Sequence, residues 1–535
     1  MCFDSLYRSR GGGGITPPVV IVGGGIAGLM TALYLAPLPC LLLTRAVLGE
    51  GSATGWAQGG LAAAVGPDDD PALHAADTLG AADGLADPAV AARVAAAAPQ
   101  AVADLERFGV VFDRDEAGAG GGYRLSLEAA HGRRRVVHAT GDGTGRAVSE
   151  ALVAAVRRTP SIAVVEGAVA TSLLVEDGRV VGVALEDADG RAGVLAAPAV
   201  VLATGGVGGL YAATTNPLGA RGDGLLLAAR AGAVLRDLEF VQFHPTAADI
   251  GGDPMPLASE ALRGEGAILI DDRGERFMAG LPGQELSPRD VVARAVFARR
   301  AAGRTVFLDG QAAIGDDFER RFPKIYRVCR TAGLDPAREP IPVRPAAHYH
   351  MGGVAVDGRG RSSVEGLWAC GEVASTGLHG ANRLASNSLI EGAVFARFVA
   401  EDLRGQTFQE VASSHRPQLP GRAGPALRPP HAVRRILDGR VGVVRDEDGL
   451  RRAIADLLRL SAGPQAEAGA LAALMIAVAA LERRESRGGH FRSDFPARAG
   501  RQGETAKSSL VTLDRALATA REILPTIAQT MEVLS

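Results

Sequence analysis

The chain has 535 residues, of which 47% are hydrophobic and 22% charged, with a formal net charge of −3. That length exceeds what one core organises, so roughly two to four domains are expected. The near-neutral balance, without a basic block or an acidic tail, argues against nucleic acid or an anionic membrane as partner.

Residues 1–14 read as a disordered tail, with no apolar signal-peptide core. After Pro17-Pro18, Val19 to Val22 reads as a buried strand, and Gly23-Gly24-Gly25-Ile26-Ala27-Gly28 follows it. Leu29 to Leu35 reads as a helix, stopped by Pro37 and Pro39, and Cys40 to Leu43 as a second buried strand. The run from Val19 to Met30 is too short and too glycine-rich to span a bilayer. An Ala-rich helix is expected from Asp87 to Phe108, then short strands over 161–202 ending in Ala199 to Ala203. From about Phe240 to Pro345 the pattern turns to loops rich in Pro, Gly and charge, which suits a domain inserted at 241–345. The strand–loop–helix style resumes at 346, a Pro-rich linker covers 415–430, and helical periodicity fills 431–535. The cysteines Cys2, Cys40, Cys329 and Cys370 are scattered, with no metal-ligand spacing. This pattern argues against a disulfide framework or a metal site and suits a reducing cytoplasm.

Two segments carry most of the chemistry. In the G-x-G-x-x-G turn, glycines let backbone approach a pyrophosphate at a helix N-terminus. Standing alone, the turn could equally be a plain strand–helix connection. An acidic residue for ribose is expected at the end of the second strand. The chain has Thr44-Arg45 there, and Thr44 offers a weaker hydrogen bond. The second segment, Gly377 to Leu389, places Arg383 among small polar residues that open a helix. An arginine so placed can clamp a carboxylate with two parallel hydrogen bonds; a capped loop–helix junction is the plainer alternative.

Several further motifs recur in a fixed order: Trp56-Ala57-Gln58-Gly59-Gly60, Ala203-Thr204-Gly205-Gly206, Thr215-Asn216-Pro217, Gly222-Asp223-Gly224, Gln242-Phe243-His244-Pro245-Thr246, Arg263-Gly264-Glu265-Gly266, and His348-Tyr349 before Met351-Gly352-Gly353. With them, over roughly residues 19–500 and including Arg484 to Arg487 and His490, the chain resembles the flavoprotein subunits of the succinate dehydrogenase and fumarate reductase superfamily. Its nearest likeness is to the aspartate-oxidising branch. The resemblance implies an α/β fold: a Rossmann-like FAD-binding domain over 15–240 and 346–414, an α+β capping domain over 241–345, and a C-terminal helical domain over 431–535. It implies FAD-dependent oxidation of L-aspartate to iminoaspartate, with O2 giving hydrogen peroxide or fumarate giving succinate. That reaction opens de novo NAD biosynthesis and hands its product to quinolinate synthase.

The resemblance also carries residue roles. Gly23, Gly24, Gly25, Ile26, Ala27 and Gly28 would hold the pyrophosphate, and Thr44 would lie by the adenosine ribose. Ala53, Thr54, Gly55, Trp56, Ala57, Gln58, Gly59 and Gly60 would run along the flavin, with Val169 near the adenine. Asp223, Glu372, Ser388 and Leu389 would complete the cofactor site, although Asp223 by itself reads as readily as a turn residue. Membrane-coupled members bond the flavin to a histidine five residues before the matching glutamine. Counting back from Gln58 gives Ala53, so FAD is expected to be non-covalent.

Arg289, Arg383, His244 and His348 are the expected carboxylate ligands, with Gln242 and Ser259 as neutral donors. Glu128, where the dehydrogenases tend to have an amide, would orient the substrate ammonium, since a carboxylate is the direct complement of the one cation that distinguishes aspartate from succinate. Arg289 resembles the family's proton donor for fumarate reduction, with Glu260, Glu265 or Asp290 as relay, because an arginine alone is a poor acid. His350 departs from the family pattern and adds a polar group without an assigned role. Two rivals stand beside this reading: a soluble fumarate reductase or succinate dehydrogenase flavoprotein, and a non-catalytic flavin-binding protein.

Overall fold

The computed structural model describes residues 17–115, 122–187, 189–408, 431–462, 469–499 and 506–534. The expected tail at 1–14 and linker at 415–430 lie outside the described residues.

Five short parallel strands form the central sheet in the order Leu367–Ala369, Val200–Leu202, Val19–Val22, Cys40–Thr44, Ile162–Glu166. Val19–Val22 and Cys40–Thr44 are buried at every position, as a parallel sheet covered on both faces requires. The strand period of two divides them between two cores. Val19, Ile21, Cys40 and Leu42 pack with the helices Ile26–Leu35, Pro88–Arg107, Thr144–Arg158 and Asn387–Arg404. Val20, Val22, Leu41 and Leu43 pack with the meander Val169–Glu176, Arg179–Glu186 and Ala192–Ala196 and with helices beyond 431. The chain adds strands on one side of Val19–Val22 and then on the other, so the order reverses at that strand. Such a reversal opens a crevice at the carboxyl end of the strand, and Gly23 to Gly28 lie there.

The 241–345 stretch, loop-like by composition but an α+β domain by resemblance, contains a sheet. Val241–Ala248, Ile341–His350, Val306–Asp309 and Ile268–Asp271 pair antiparallel in that order. The helix Arg289–Ala301 buries Val292 and Val296 in a separate core with Leu269, Val306, Phe318 and Ile341. Pro and Gly punctuate these strands but do not replace them. The two long strands run back to the central domain and carry Gln242, His244 and His348.

Beyond 431, the described helices are His431–Arg440, Glu447–Leu460, Ala470–Glu482 and Leu513–Leu534. Ala470–Glu482 is buried along almost its whole length, which explains its lack of a polar face. Strand Leu510–Val511 ties this region back by pairing with Leu235–Arg236. No helix among the described residues is long and apolar enough to cross a membrane, and no His, Cys, Asp and Glu cluster among them could hold a metal.

Candidate functional site

The glycine turn is built for close approach. Gly23 has φ +122°, and a Cβ there would enter the Ala203 carbonyl. A Cβ on Gly28 would enter the Gly23 carbonyl, so the helix could not sit against the turn. The helix Ile26–Leu35 has no side-chain cap at Gly25. Its Ile26 amide donates to Thr54 Oγ1 at 3.0 Å, which ties the 53–60 segment to the turn. The remaining first-turn amides have no intrahelical partner, which suits a helix start that meets an anion.

Around this turn, Ser52 Oγ, Thr204 Oγ1 and Arg45 Nε are buried without a protein partner. The carboxylate missing from the end of the second strand comes from elsewhere. Asp223 forms an ion pair with Arg45, and Arg221 Nη2 reaches the same Oδ2 at 3.2 Å. Thr44 is buried at the strand end, and its carbonyl accepts the Ala168 amide at 3.3 Å, which brings Val169 alongside. Glycine cradle, uncapped helix start, orphaned donors and a carboxylate together fit a flavin dinucleotide.

A second helix start lies opposite. Ser386, at φ +58°, precedes the helix Asn387–Arg404, so Ser388 and Leu389 occupy its first turn. The Ala62 amide donates to the Ser386 carbonyl at 3.0 Å, linking the end of the 53–60 segment to this start. Gly60 lies against the Val137 carbonyl with no room for a side chain. Ala53 caps the short 3-10 turn Thr54–Trp56 that holds Gly55; Gln58 is buried and Trp56 exposed. The Ala57 carbonyl accepts the Gly145 amide at 3.1 Å. Glu372 accepts the His350 amide at 3.0 Å, and burial pushes its carboxyl up to about 7. His350 itself is structural: buried, with Nε2 bonded to the Leu238 carbonyl at 3.0 Å.

The cations converge on the other side of the cleft. His244 and His348 lie on neighbouring strands with ring centroids 5.0 Å apart. His348 Nδ1 pairs with Thr215 Oγ1 at 2.8 Å, while His244 Nε2 is buried without a partner. Burial, followed by the charge of Arg289, holds both imidazoles well below their usual range, so they are neutral near pH 7. Arg383 lies 4.6 Å over the Tyr349 ring and donates from Nη1 to Ser388 Oγ at 3.1 Å. Burial, with Arg289 nearby, pushes its guanidinium down to about 10, and its Nε has no protein partner.

Arg289 opens its helix after Pro288 and donates from Nε to Glu260 Oε2 at 2.5 Å and from Nη1 to Gln242 Oε1 at 3.1 Å. Of the three relay candidates only Glu260 touches it. Glu265 pairs with Arg321, and Asp290 with Arg294 at 2.8 Å. Arg263 lies behind, with Nη2 at 3.5 Å from Glu260 Oε2. Gln242 gives both amide protons to Asn382 Oδ1 and the Arg383 carbonyl, each at 2.9 Å. It is therefore spent on protein partners, joining Arg289 to the Arg383 loop. Ser259 occupies the cap position of the helix Glu260–Gly264, but its hydroxyl caps nothing.

Glu128 is buried at the edge of this group, with Ser386 Oγ donating to its Oε2 at 2.7 Å. The next residue, Ala129, donates its amide to Glu260 Oε1 at 3.0 Å. Sequence reasoning passed over Tyr349 as the platform under Arg383, Thr215 as partner of His348, and Ser386. The first two stood inside the quoted motifs, and Ser386 in the Ala385-Ser386-Asn387-Ser388 run. The site thus brings two arginines and two imidazoles together, with the buried Glu128 carboxylate at its edge.

A family model described as FAD binding domain matches residues 18–389, and one described as fumarate reductase flavoprotein C-term matches 466–525. An L-aspartate oxidase of Mesorhizobium japonicum is 56% identical, over 90% of this chain and 92% of its own length. The chain belongs to the L-aspartate oxidase family. Another member, from Agrobacterium fabrum, is 54% identical over 89% of this chain and 91% of its own. The wider superfamily fold is seen in a quinol fumarate reductase of E. coli, with a TM-score of 0.82 at 28% identity, covering 93% of this chain and 94% of that one. In this member of the L-aspartate oxidase family the FAD match runs from the first strand through the inserted sheet to Leu389. The cofactor region thus ends where the Arg383 loop delivers its helix.

Proposed function

We propose that this cleft oxidises L-aspartate to iminoaspartate with FAD as cofactor, the first step of NAD biosynthesis. The observation that carries the reading is Glu128, a buried carboxylate at the edge of a cleft otherwise lined by Arg289, Arg383, His244 and His348. Two carboxylates and one ammonium are what such a cleft complements.

When bound, FAD supplies a two-electron acceptor for the Cα hydrogen of the substrate. The first-turn amides after Gly23, Gly24 and Gly25 would hold its pyrophosphate, and Asp223, set by Arg45 and Arg221, its ribose. The amides of Ser388 and Leu389 would face the ring. Ala53 offers only a methyl group where a covalent link needs a nucleophile, so the cofactor is held non-covalently.

Arg383, His348, His244 and Ser259 bind the two carboxylates. The neutral imidazoles act as N–H donors, which leaves the net charge to the arginines. Glu128 takes the ammonium with Oε1, its Oε2 being occupied by Ser386. Gln242 fixes the spacing between Arg289 and the Arg383 loop. Removing water around Cα and orienting it is the protein's main contribution. With fumarate as acceptor, Arg289 is the proton donor, resupplied through Glu260 and Arg263; with O2 the second product is hydrogen peroxide. Iminoaspartate hydrolyses in water, which favours direct hand-off to quinolinate synthase. A cytoplasmic site suits the free, buried thiols of Cys40, Cys329 and Cys370. Residues 241–345 act as the cap over this cleft.

The test is an anaerobic mixture of the holoenzyme with L-aspartate, read at the flavin band. Bleaching, then recovery with air or fumarate, is expected. Bleaching by succinate and not by aspartate would favour a soluble succinate dehydrogenase instead.

A further inference from the structure

We infer that Ser386 is a specificity-determining positioning residue, which acts on L-aspartate through Glu128; the inference rests on the aspartate-oxidising reading above. Ser386 sits at φ +58°, a backbone conformation that serine adopts rarely and glycine or asparagine readily. A serine kept there must supply something that compensates for the strain. It caps nothing: no side-chain hydrogen bond joins it to the helix that it opens. Its hydroxyl instead donates to Glu128 Oε2 at 2.7 Å. Both residues are buried, so this charge-assisted bond is not diluted by water.

The surroundings show what the bond sets. A Cβ at Gly59 would lie 3.1 Å from Ser386 Oγ and 3.3 Å from Glu128 Oε1. Gly59 therefore leaves space beside this carboxylate on the stretch assigned to the flavin. The Ser386 carbonyl accepts the Ala62 amide at 3.0 Å, and the next amide but one belongs to Ser388. One residue thus fixes the start of the flavin-facing helix with its backbone and the ammonium-recognising carboxylate with its side chain. The hydroxyl turns Oε2 away and leaves Oε1 as the acceptor for a cation. Without it, both oxygens are unconstrained and the ammonium loses its register with the arginines that hold the carboxylates. A dicarboxylate without an ammonium does not use this contact.

The experiment compares the holoenzyme with Ser386→Ala and Ser386→Gly, alone and combined with Glu128→Gln. Glycine suits φ +58°, so Ser386→Gly removes the hydroxyl without backbone strain. Both single variants should retain the flavin absorbance and lose about tenfold in kcat/KM for L-aspartate. The constant for competitive inhibition by succinate should be unchanged. In the Glu128→Gln background, losing the hydroxyl should add nothing. Wild-type behaviour of Ser386→Gly, parallel losses for succinate, or additive losses with Glu128→Gln would each overturn the proposal. If the wild-type flavin is not bleached by aspartate, the functional reading falls first and this one with it.

Discussion

Glu260 binds Arg289 and the Glu128 loop at once: Oε2 accepts Arg289 Nε at 2.5 Å, and Oε1 accepts the Ala129 amide at 3.0 Å. Glu260 and both partners are buried, so none can turn to water instead. The charge of Arg289 holds the Glu260 carboxyl below its ordinary range in spite of its burial. The carboxylate that anchors Arg289, the proposed proton donor, therefore also sets the backbone that carries Glu128, the proposed acceptor of the ammonium.

Replacing Arg289 with Leu breaks this joint on the cap side. Fumarate reduction driven by a reduced dye should fall by roughly 100-fold or more, as expected for loss of a general acid. Glu260 would keep Arg263 and the Ala129 amide as partners, so the loss of its bond from Arg289 should lower stability by about 1.5–3 kcal/mol. Flavin absorbance and a thermal melt separate the two effects. Full fumarate reduction by FAD-loaded Arg289→Leu would remove the proton-donor assignment.

Glu128→Gln tests the other side. The amide keeps the shape but loses the charge that complements an ammonium. The kcat/KM for L-aspartate should drop roughly 100-fold, whereas dye-driven fumarate reduction should change by less than about threefold. Equal losses in both assays would mean that Glu128 shapes the cleft in general and does not read the amino group.

Asp223 provides a test of the cofactor site away from the reacting centre. Held by Arg45 and Arg221, it is a fixed carboxylate at the end of the second strand. Asp223→Ala should weaken FAD binding by about tenfold or more, the value of a hydrogen bond to a charged group. Fluorescence titration of the apoprotein with FAD measures this directly. An unchanged dissociation constant would place the ribose elsewhere.

How much of this was legible in the sequence depended on distance along the chain. The strand Val19–Val22, the glycine turn and the helix after it are local: apolar composition with punctuation places the strand and the end of the helix at Leu35, although the helix starts at Ile26, three residues ahead of the expected Leu29. No acidic residue stands at Thr44 in the sequence, and the carboxylate proposed for the ribose, Asp223, lies 178 residues away from its partner Arg45. Three acidic residues near Arg289 were equal candidates in the sequence. Only the packing of the helix Glu260–Gly264 singles out Glu260, since Glu265 and Asp290 find other arginines. Composition alone hid the cap sheet, which the family resemblance implied, because Pro245, Pro342 and Pro345 lie within its strands. Gln242 looked like a substrate donor because no local pattern shows that both its protons are used.

The last prediction concerns acid stability and His350. Burial, with Arg445 nearby, pushes this imidazole down to about 4 in the folded protein, against 6.5 for an exposed one. Between these values the unfolded chain binds a proton that the folded protein refuses. His350 thus contributes stability that is fully present above about pH 6.5 and is lost as pH falls toward about 4, on the order of 3 kcal/mol across the window. Glu372, pushed up to about 7 by burial, acts in the opposite sense, since its folded form holds a proton that the unfolded chain releases. Total stability therefore mixes the two, and a single variant is needed to separate them. His350→Gln keeps an N–H for the Leu238 carbonyl but cannot titrate. Its melting temperature at pH about 7 should lie somewhat below that of the wild type because the ring packing is lost. Its further fall between pH about 7 and about 5 should be smaller than the wild-type fall. Parallel curves would show that His350 takes no part in acid unfolding, and would leave the buried His74, also held down to about 4, as the next group to replace.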